Sequence, residues 1–184
     1  IFDQSGNAAL DTQTNNTVTL NEKIVPVITN VVNNLDNTIL TVTFNEAIYN
    51  SVDANSDVEV SDFDLSLSNN SGEVTLNSTT PSSISIVNTK TIITLGYSIT
   101  GNPTGNEIIS ITPIDDSSIF DINGNNASTT QSNNSVSLIE QSLPTITNTI
   151  ISSDNKFVTV TFDDTVYSTN QTSGDLDVND FSLT

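Results

Sequence analysis

The 184-residue sequence contains no cysteine, histidine, arginine, tryptophan or methionine. Without histidine it cannot form a Ser-His-Asp or Cys-His catalytic arrangement. Without cysteine and histidine it lacks the ligands of the usual zinc, haem and iron–sulfur sites. The absence of cysteine fits the cytosol as well as surface proteins that avoid disulfides, so it leaves the compartment open. The absence of methionine predicts that the sequence is a segment of a longer chain.

Positive charge is scarce as well, with three lysines against 22 acidic residues and a formal net charge of −19. Nucleic-acid binding is not expected, because phosphates are contacted by Lys and Arg. Membrane insertion is not expected either, since no apolar run approaches the roughly 18 residues of a membrane span. The remaining metal ligands are oxygens, which Ca²⁺ and Mg²⁺ prefer. Paired carboxylates can hydrolyse glycosides, but no pair is singled out here, and we predict that the protein is not an enzyme.

The abundant residues are short and polar: Asn, Ser and Thr together occupy 79 of the 184 positions. Disordered chains share such a composition, but the apolar residues here follow a regular pattern. They alternate with Thr, as in Leu40-Thr41-Val42-Thr43-Phe44, and a period of two is typical of half-buried strands. The sequence therefore predicts an all-β protein.

The sequence also repeats itself at an offset of 118 residues. Residues 1–66 align with residues 119–184 without a gap, and 29 of these 66 positions are identical. Identity of this extent is not a chance result, and it predicts a tandem array of similar domains. The clearest recurring stretches are Ile1-Phe2-Asp3 with Ile119-Phe120-Asp121, and Val60-Ser61-Asp62-Phe63 with Val178-Asn179-Asp180-Phe181.

Pro26 and Pro144 occupy equivalent places, each after a polar segment and before the first apolar run of a period. They predict a complete domain over residues 26–143, the last strand of a preceding repeat in residues 1–25, and the first strands of a following repeat in residues 144–184. About seven strands are predicted within the complete domain, which favours tandem antiparallel β-sandwiches of the immunoglobulin type. They lie near 27–32 and at 39–44, 63–68, 83–87, 91–98, 107–114 and 127–138, with a shorter strand at 73–76.

The order of short motifs within the period resembles a known family. Pro26 is followed by Val42-Thr43-Phe44-Asn45-Glu46, then by Val60-Ser61-Asp62-Phe63, and then by Phe120-Asp121 with Gly124-Asn125. This order is similar to that of the bacterial immunoglobulin-like repeats of large cell-surface adhesins or extracellular filament proteins. The resemblance implies an extracellular spacer or adhesive module without catalytic residues.

Acidic residues that persist in both copies are the first candidates for a function. Glu22, Asp57 and Asp62 recur as Glu140, Asp175 and Asp180, while Glu46 and Glu59 recur as Asp164 and Asp177. Strand direction predicts that two loops return to the domain's N-terminal end. One connects the second and third strands, and the other connects the sixth and seventh strands. The candidate metal ligands at the junctions are Glu22, Glu46, Asp57, Glu59, Asp62, Asp115, Asp121, Glu140, Asp164, Asp175, Asp177 and Asp180.

Carboxylates crowded at one junction would repel each other, and Ca²⁺, which takes six to eight oxygen ligands, would neutralise them. The hypothesis is that Ca²⁺ binds at or near each junction and stiffens the array. The alternative is that these are solvated loop carboxylates on an acidic protein, since no Asp-x-Asp-x-Asp-Gly loop is present.

Two classes of function remain open. A structural repeat in a long extracellular or cell-surface protein, such as an adhesin stalk or filament, is favoured because a spacer gains from repetition. Its partners would be neighbouring repeats, with possible self-association into filaments. The alternatives are a module whose loops bind a glycan or another partner, and a subunit of a polymer held by strand exchange.

Overall fold

The computed structural model describes residues 1–68, 74–87, 89–170 and 173–182. Residue 73, at the start of the predicted short strand, lies outside these ranges. The described residues form β-strands and two short 3-10 turns, Val60–Asp62 and Val178–Asp180, and none of their helical segments is long and apolar enough to cross a bilayer. The strands are β1 Ile28–Asn33, β2 Ile39–Phe44, β3 Phe63–Ser68, β4 Thr75–Leu76, β5 Ser83–Ile86, β6 Ile92–Gly96, β7 Ile99–Thr100, β8 Ile108–Pro113, β9 Ser135–Ser137, β10 Ile146–Ile151 and β11 Val158–Phe162.

Two antiparallel sheets form the main body. One has the strand order β1-β2-β6-β5 and the other β3-β8-β9, and β4 pairs with β7 beside them. If the seven strands of these two sheets are lettered A to G in chain order, the sheets are A-B-E-D and C-F-G. Constant-type immunoglobulin sandwiches divide their strands in the same way. The predicted all-β, antiparallel sandwich is confirmed.

Two predicted strands differ from the structure. The strand predicted at 91–98 ends early, as β6 at Ile92–Gly96, which pairs with β2; a separate strand that was not predicted, β7 at Ile99–Thr100, follows it and pairs with β4. The strand predicted at 127–138 is only Ser135–Ser137. The residues before it are held by side chains instead of a ladder: Asp116 Oδ1 accepts from the Thr129 N–H at 2.9 Å, and Asn134 Nδ2 donates to the Ile111 carbonyl at 2.8 Å.

The core lies between the two sheets and is built from strand residues that alternate inward and outward. Burial of these branched aliphatic side chains, at about 25 cal/mol for each Å² of apolar surface, is what holds the sheets together. Among the described residues, the buried aliphatic and aromatic side chains of the core all lie between positions 28 and 138. The principal ones are Leu40, Val42 and Phe44 from β2, Phe63 and Leu65 from β3, Ile93 and Leu95 from β6, and Ile109 and Ile111 from β8.

Strand pairing also defines the two ends of the sandwich. The start of β1, the end of β2, the start of β3 and the end of β8 lie at one end, which we call the entrance end. The β1–β2 turn and the loop before β8 lie at the opposite, exit end. Strand direction thus places the loops 45–62 and 114–134 together at the entrance end, as the sequence predicted.

Candidate junction carboxylates

A tight turn at the entrance end holds Asp121, a buried carboxylate. Its Oδ1 accepts from the N–H groups of Asn123 and Asn125 at 2.8 and 2.7 Å, and its Oδ2 accepts from Asn125 Nδ2 at 2.8 Å. Gly124 closes the turn with φ +79°, in the left-handed region that glycine favours. Asp3 makes the same three bonds, to Ser5 and Asn7, so the local sequence is sufficient to build this turn.

Glu22, which lies before the first strand in the sequence, reaches the same turn. Its Oε2 accepts from Asn125 Nδ2 at 2.7 Å and from Asn123 Nδ2 at 3.2 Å. Glu46, in the loop after β2, lies close enough to Asp121 and Glu22 for the charges of both to affect its ionisation. We call Glu22, Glu46 and Asp121 the entrance cluster.

The pKa values of Glu46 and Asp121 are shifted in opposite directions because their hydrogen bonds differ. Burial raises the pKa of Glu46, and the charges of Asp121 and Glu22 raise it further. Burial alone would also raise the pKa of Asp121, but the Asn125 side chain, the N–H groups of Asn125 and Asn123, and contact with Glu22 lower it below the ordinary value. Several amide donors therefore outweigh the effect of burial at Asp121, whereas the single bond from Asn45 Nδ2 to Glu46 Oε1, at 3.2 Å, does not outweigh burial and the neighbouring charges at Glu46.

A second group surrounds the first 3-10 turn. Asp62 Oδ2 accepts from the Glu59 N–H at 2.7 Å and caps the turn. Burial raises the pKa of Asp62, the bond from Glu59 opposes this, and the charges of Glu59 and Asp115 add to the increase. Asp115 is itself bound to Ser117, whose N–H and hydroxyl donate to Oδ1 at 2.8 and 2.9 Å.

Asp57 belongs to neither group, since its carboxylate pairs with Lys90 Nζ at 2.5 Å. The same ammonium lies 4.2 Å from the centre of the Tyr49 ring. The seven carboxylates predicted at this end are thus divided between the entrance cluster, the 3-10 group and one ion pair.

The carboxylates of the second copy lie on and around the β10–β11 hairpin. Glu140 and Asp164, the counterparts of Glu22 and Glu46, line one surface cleft together with Asp163. Asp180 Oδ2 accepts from the Asp177 N–H at 2.8 Å, as Asp62 does from Glu59. Asp175 is exposed. Glu140 and Asp164 thus line the same cleft, as their counterparts Glu22 and Glu46 belong to the same cluster.

The donors around the entrance cluster do not fit Ca²⁺ in this arrangement. Calcium would need six to eight oxygen ligands, but both oxygens of Asp121 already accept from N–H groups, and Glu22 Oε2 accepts from two side-chain amides. Among the residues that the structure describes, no three acidic side chains are grouped so that they could hold a metal ion. Calcium binding stays a prediction.

The amides that satisfy these carboxylates were not predicted from the sequence. Asn125 is the main one; Asn37, at the exit end, is a further unpredicted amide that binds the Ile139 backbone, and each recurs at the repeat offset, as Asn7 and Asn155. Inspection of recurring amides as well as recurring carboxylates would have found both.

No protein-family model matches the chain, and no curated protein matches it. Among solved structures, the N-terminal part of the bacterial S-layer protein SbsC is similar at 14% identity and a TM-score of 0.43, over 75% of this chain and 31% of that one. The S-layer protein rSbsC(31-844) is similar at 14% identity and a TM-score of 0.42, over 75% of this chain and 18% of that one. The chain therefore spans less than a third of these structures, and likeness at this level assigns neither a family nor a function. The resemblance to adhesin repeats stays a prediction.

Proposed function

We propose that the chain is part of a tandem-repeat structural protein of the cell surface or extracellular space, in which residues 26–143 form one complete spacer domain. The observation that carries this proposal is that the repeat recurs in three dimensions. Strands β10 and β11 pair in the register of β1 and β2, with the irregularity at the equivalent place, Ile146 to Asn148 against Ile28 to Asn30. A spacer gains length from such repetition, whereas a catalytic or recognition domain needs to occur once.

The β10–β11 hairpin supports this division of the chain. It presents an open apolar face with a groove, and the side chains on it are counterparts of core residues in the complete domain. In that domain the same face is covered by the sheet of β3, β8 and β9, and β6 pairs with the free edge of β2. We propose that residues 144–184 begin a further repeat and that residues 1–25 end a preceding one. The apolar residues of the groove are Ile146, Val158, Val160, Phe162, Val166, Leu176, Val178 and Phe181.

Surface location is supported by the charge. A net charge of −19 on 184 residues keeps identical repeats from adhering to each other, which an exposed array of them requires. The proposal is of a non-enzymatic protein whose partners are its own neighbouring repeats.

Antibodies against residues 26–143 test the location on intact cells of the source organism. We expect labelling without permeabilisation and loss of the label after protease treatment of whole cells, with a cytosolic protein as the control. Labelling that appears only after permeabilisation would contradict the surface assignment.

Polypeptides with two, three and four consecutive copies of residues 26–143 test the spacer role. We expect the maximum dimension from small-angle scattering to rise linearly with copy number. A dimension that levels off would show that the repeats fold back on each other and do not act as spacers.

The open hairpin groove also favours one alternative, a polymer held by strand exchange. The same polypeptides distinguish the two. If each domain covers its first hairpin with its own later strands, the polypeptides stay monomeric at all concentrations. If strands are exchanged between chains, they form oligomers whose size rises with concentration.

A further inference from the structure

The segments that lead into and out of the complete domain are equivalent in sequence. We call residues 21–26 the entrance linker and residues 139–144 the exit linker, since they are related by the offset of 118. Both are bound to the domain by side-chain amides, but at opposite ends and through different residues of the linker.

The entrance linker is bound by Asn125 and Asn45. Asn125 Nδ2 donates to Glu22 Oε2 at 2.7 Å. Asn45 Nδ2 donates to the Val25 carbonyl at 3.2 Å, and its Oδ1 accepts from the Val27 N–H at 2.8 Å. These bonds hold the chain on both sides of Pro26.

The exit linker is bound by Asn37, in the β1–β2 turn. Asn37 Nδ2 donates to the Ile139 carbonyl at 2.7 Å, and Oδ1 accepts from the Ile139 N–H at 2.8 Å. Asn37 is buried, and Asn33 donates to its Oδ1 at 2.5 Å while accepting from Tyr97 Oη at 2.8 Å. A buried side chain, bonded through both its Nδ2 and its Oδ1 and carried by a residue with φ +53°, therefore binds the backbone of the linker.

The loop before β8 adds a second contact to the exit linker. The Pro103 carbonyl accepts from the Gln141 N–H at 2.8 Å and from Ser142 Oγ at 3.2 Å. The buried carboxylate of Glu107 holds this loop in shape by accepting from the Thr104 N–H and hydroxyl at 2.9 and 3.0 Å. Two separate parts of the domain, the β1–β2 turn and the loop before β8, thus converge on residues 139–142.

The two linkers together describe one complete junction, because they occupy equivalent places in the repeat and share the glutamate and the proline. The preceding domain binds the first residue and the middle of the linker through its counterparts of Asn37 and Pro103. The following domain binds the glutamate through its counterpart of Asn125, and it binds the residues beside the proline through its counterpart of Asn45. In the second copy that counterpart is Asp163, whose Oδ1 accepts from the Thr145 N–H at 2.7 Å, as Asn45 Oδ1 accepts from Val27. We propose that each linker is clamped from both sides by these amide hydrogen bonds, and that consecutive domains hold a fixed orientation without a metal ion. This inference rests on the proposed function, since it concerns the joints of the array.

The donors explain why a metal is not required. The clamp brings neutral N–H groups to Glu22 and Asp121, so the carboxylates are stabilised by charge-assisted hydrogen bonds. Addition of a chelator should therefore leave such a junction unchanged.

The absence of cysteine allows a direct test by spin labelling of the whole chain, with nitroxide pairs at introduced cysteines. The entrance pair is Thr19→Cys with Ser85→Cys, and the exit pair is Ser85→Cys with Thr159→Cys, all at exposed positions. Pulsed dipolar spectroscopy gives the width of each distance distribution. We expect both to be narrow and to be the same in Ca²⁺ and in chelator.

Substitutions in the clamp are compared with matched controls. Glu22→Ala should at least double the width of the distance distribution for the entrance pair. Asp11→Ala removes a charge from the same segment and should leave that width unchanged.

Asn37→Gly keeps the left-handed turn and should at least double the width of the distance distribution for the exit pair. Asn155→Gly makes the same change in the β10–β11 turn, where the side chain binds no linker, and should leave it unchanged. Hydrogen exchange of the β2 and β6 amides verifies that the core is intact. Asn37→Asp, which replaces the donating amide by a carboxylate and so removes the bond to the Ile139 carbonyl, is used instead of Asn37→Gly if that variant disturbs the core.

The outcomes separate the clamp from the proposed function. Unchanged widths for Glu22→Ala and the Asn37 variant, or a width that chelator increases and Ca²⁺ restores, would overturn the clamp. Surface labelling of intact cells does not depend on stiff joints, so its failure would overturn the surface role alone.

Discussion

The β1–β2 and β10–β11 hairpins have similar sequences and the same strand register, but only the first is part of a core. Ile28 is 1% exposed and its counterpart Ile146 is 56% exposed; Leu40 is fully buried and its counterpart Val158 is 46% exposed. The alternation of Thr with branched apolar residues is sufficient to define each hairpin, including the irregularity near its start. Burial depends on β3, β6 and β8, which are supplied from later in the period. Pairing is thus a local property in this protein, and the core is a property of the whole repeat.

The largest expected difference between the hairpins is at the phenylalanine that ends the second strand. Phe44→Ala should lower the free energy of unfolding of the complete domain by about 3–5 kcal/mol, because it removes a buried ring and leaves a cavity. Phe162→Ala, in the exposed hairpin, should change the unfolding of the domain by much less. Urea denaturation followed by circular dichroism measures both. Equal losses would show that the hairpin is integrated with the core of the domain.

The second difference lies in a buried polar chain that only the complete domain contains. Asn33 joins Tyr97 to Asn37, and its counterpart in the other hairpin is Ile151. Asn33→Ile should cost about 1–3 kcal/mol, because it leaves the Tyr97 hydroxyl buried without a partner.

Adding Tyr97→Phe to Asn33→Ile should recover part of that loss, since no unpaired hydroxyl remains. Thermal and urea unfolding of the two single variants and the double variant complete the cycle. Strictly additive losses would mean that the two side chains do not act as a unit.

A smaller difference concerns the lysines near the two copies. Lys90 pairs with Asp57 and covers Tyr49, whereas Lys156 pairs with Asp154 at 3.7 Å and is mostly exposed. Lys90→Gln should lower the unfolding free energy by about 0.2–1 kcal/mol, the range for partly exposed ion pairs. Lys156→Gln should have no measurable effect. The loss at Lys90 should diminish in about 1 M salt, where charges are screened within a few ångströms, and persistence of the full loss would assign it to ring contact alone.

The sequence predicted β2, β3 and the start of β1 closely because an alternating pattern is read from adjacent residues. It predicted β9 too long, at 127–138 instead of Ser135–Ser137, since the residues before β9 bind the backbone through side chains and leave little of the ladder. Strand direction placed Glu46, Asp62 and Asp121 at one end correctly. The hydrogen-bond partners of these carboxylates could not be predicted from the sequence, because Glu22 and Asn125 are 103 residues apart and meet only in the folded domain.

The smallest effect is expected at Glu46, and its sign tests the description of the entrance cluster. Burial and the charges of Asp121 and Glu22 raise the pKa of Glu46 above its ordinary value of 4.5. A carboxyl with a raised pKa in the folded state favours folding below the unfolded-state pKa, and this contribution is lost as the pH rises through the folded-state value. At pH 7 the ionised side chain therefore opposes folding.

Glu46→Gln should consequently raise the unfolding temperature at pH 7 and make no difference below about pH 4, where Glu46 is protonated in both states. Comparison of the two proteins across pH 3–8 isolates Glu46, because Asp121 and the other groups are common to both. Asp164→Asn, at the equivalent position of the exposed hairpin, is the control and should leave the unfolding of the domain unchanged at every pH. If the substitution at Glu46 instead lowers stability, and does so only in the presence of Ca²⁺, the carboxylate is a metal ligand and the entrance cluster is held by the ion, because loss of a ligand weakens the folded state while loss of a repelled charge strengthens it.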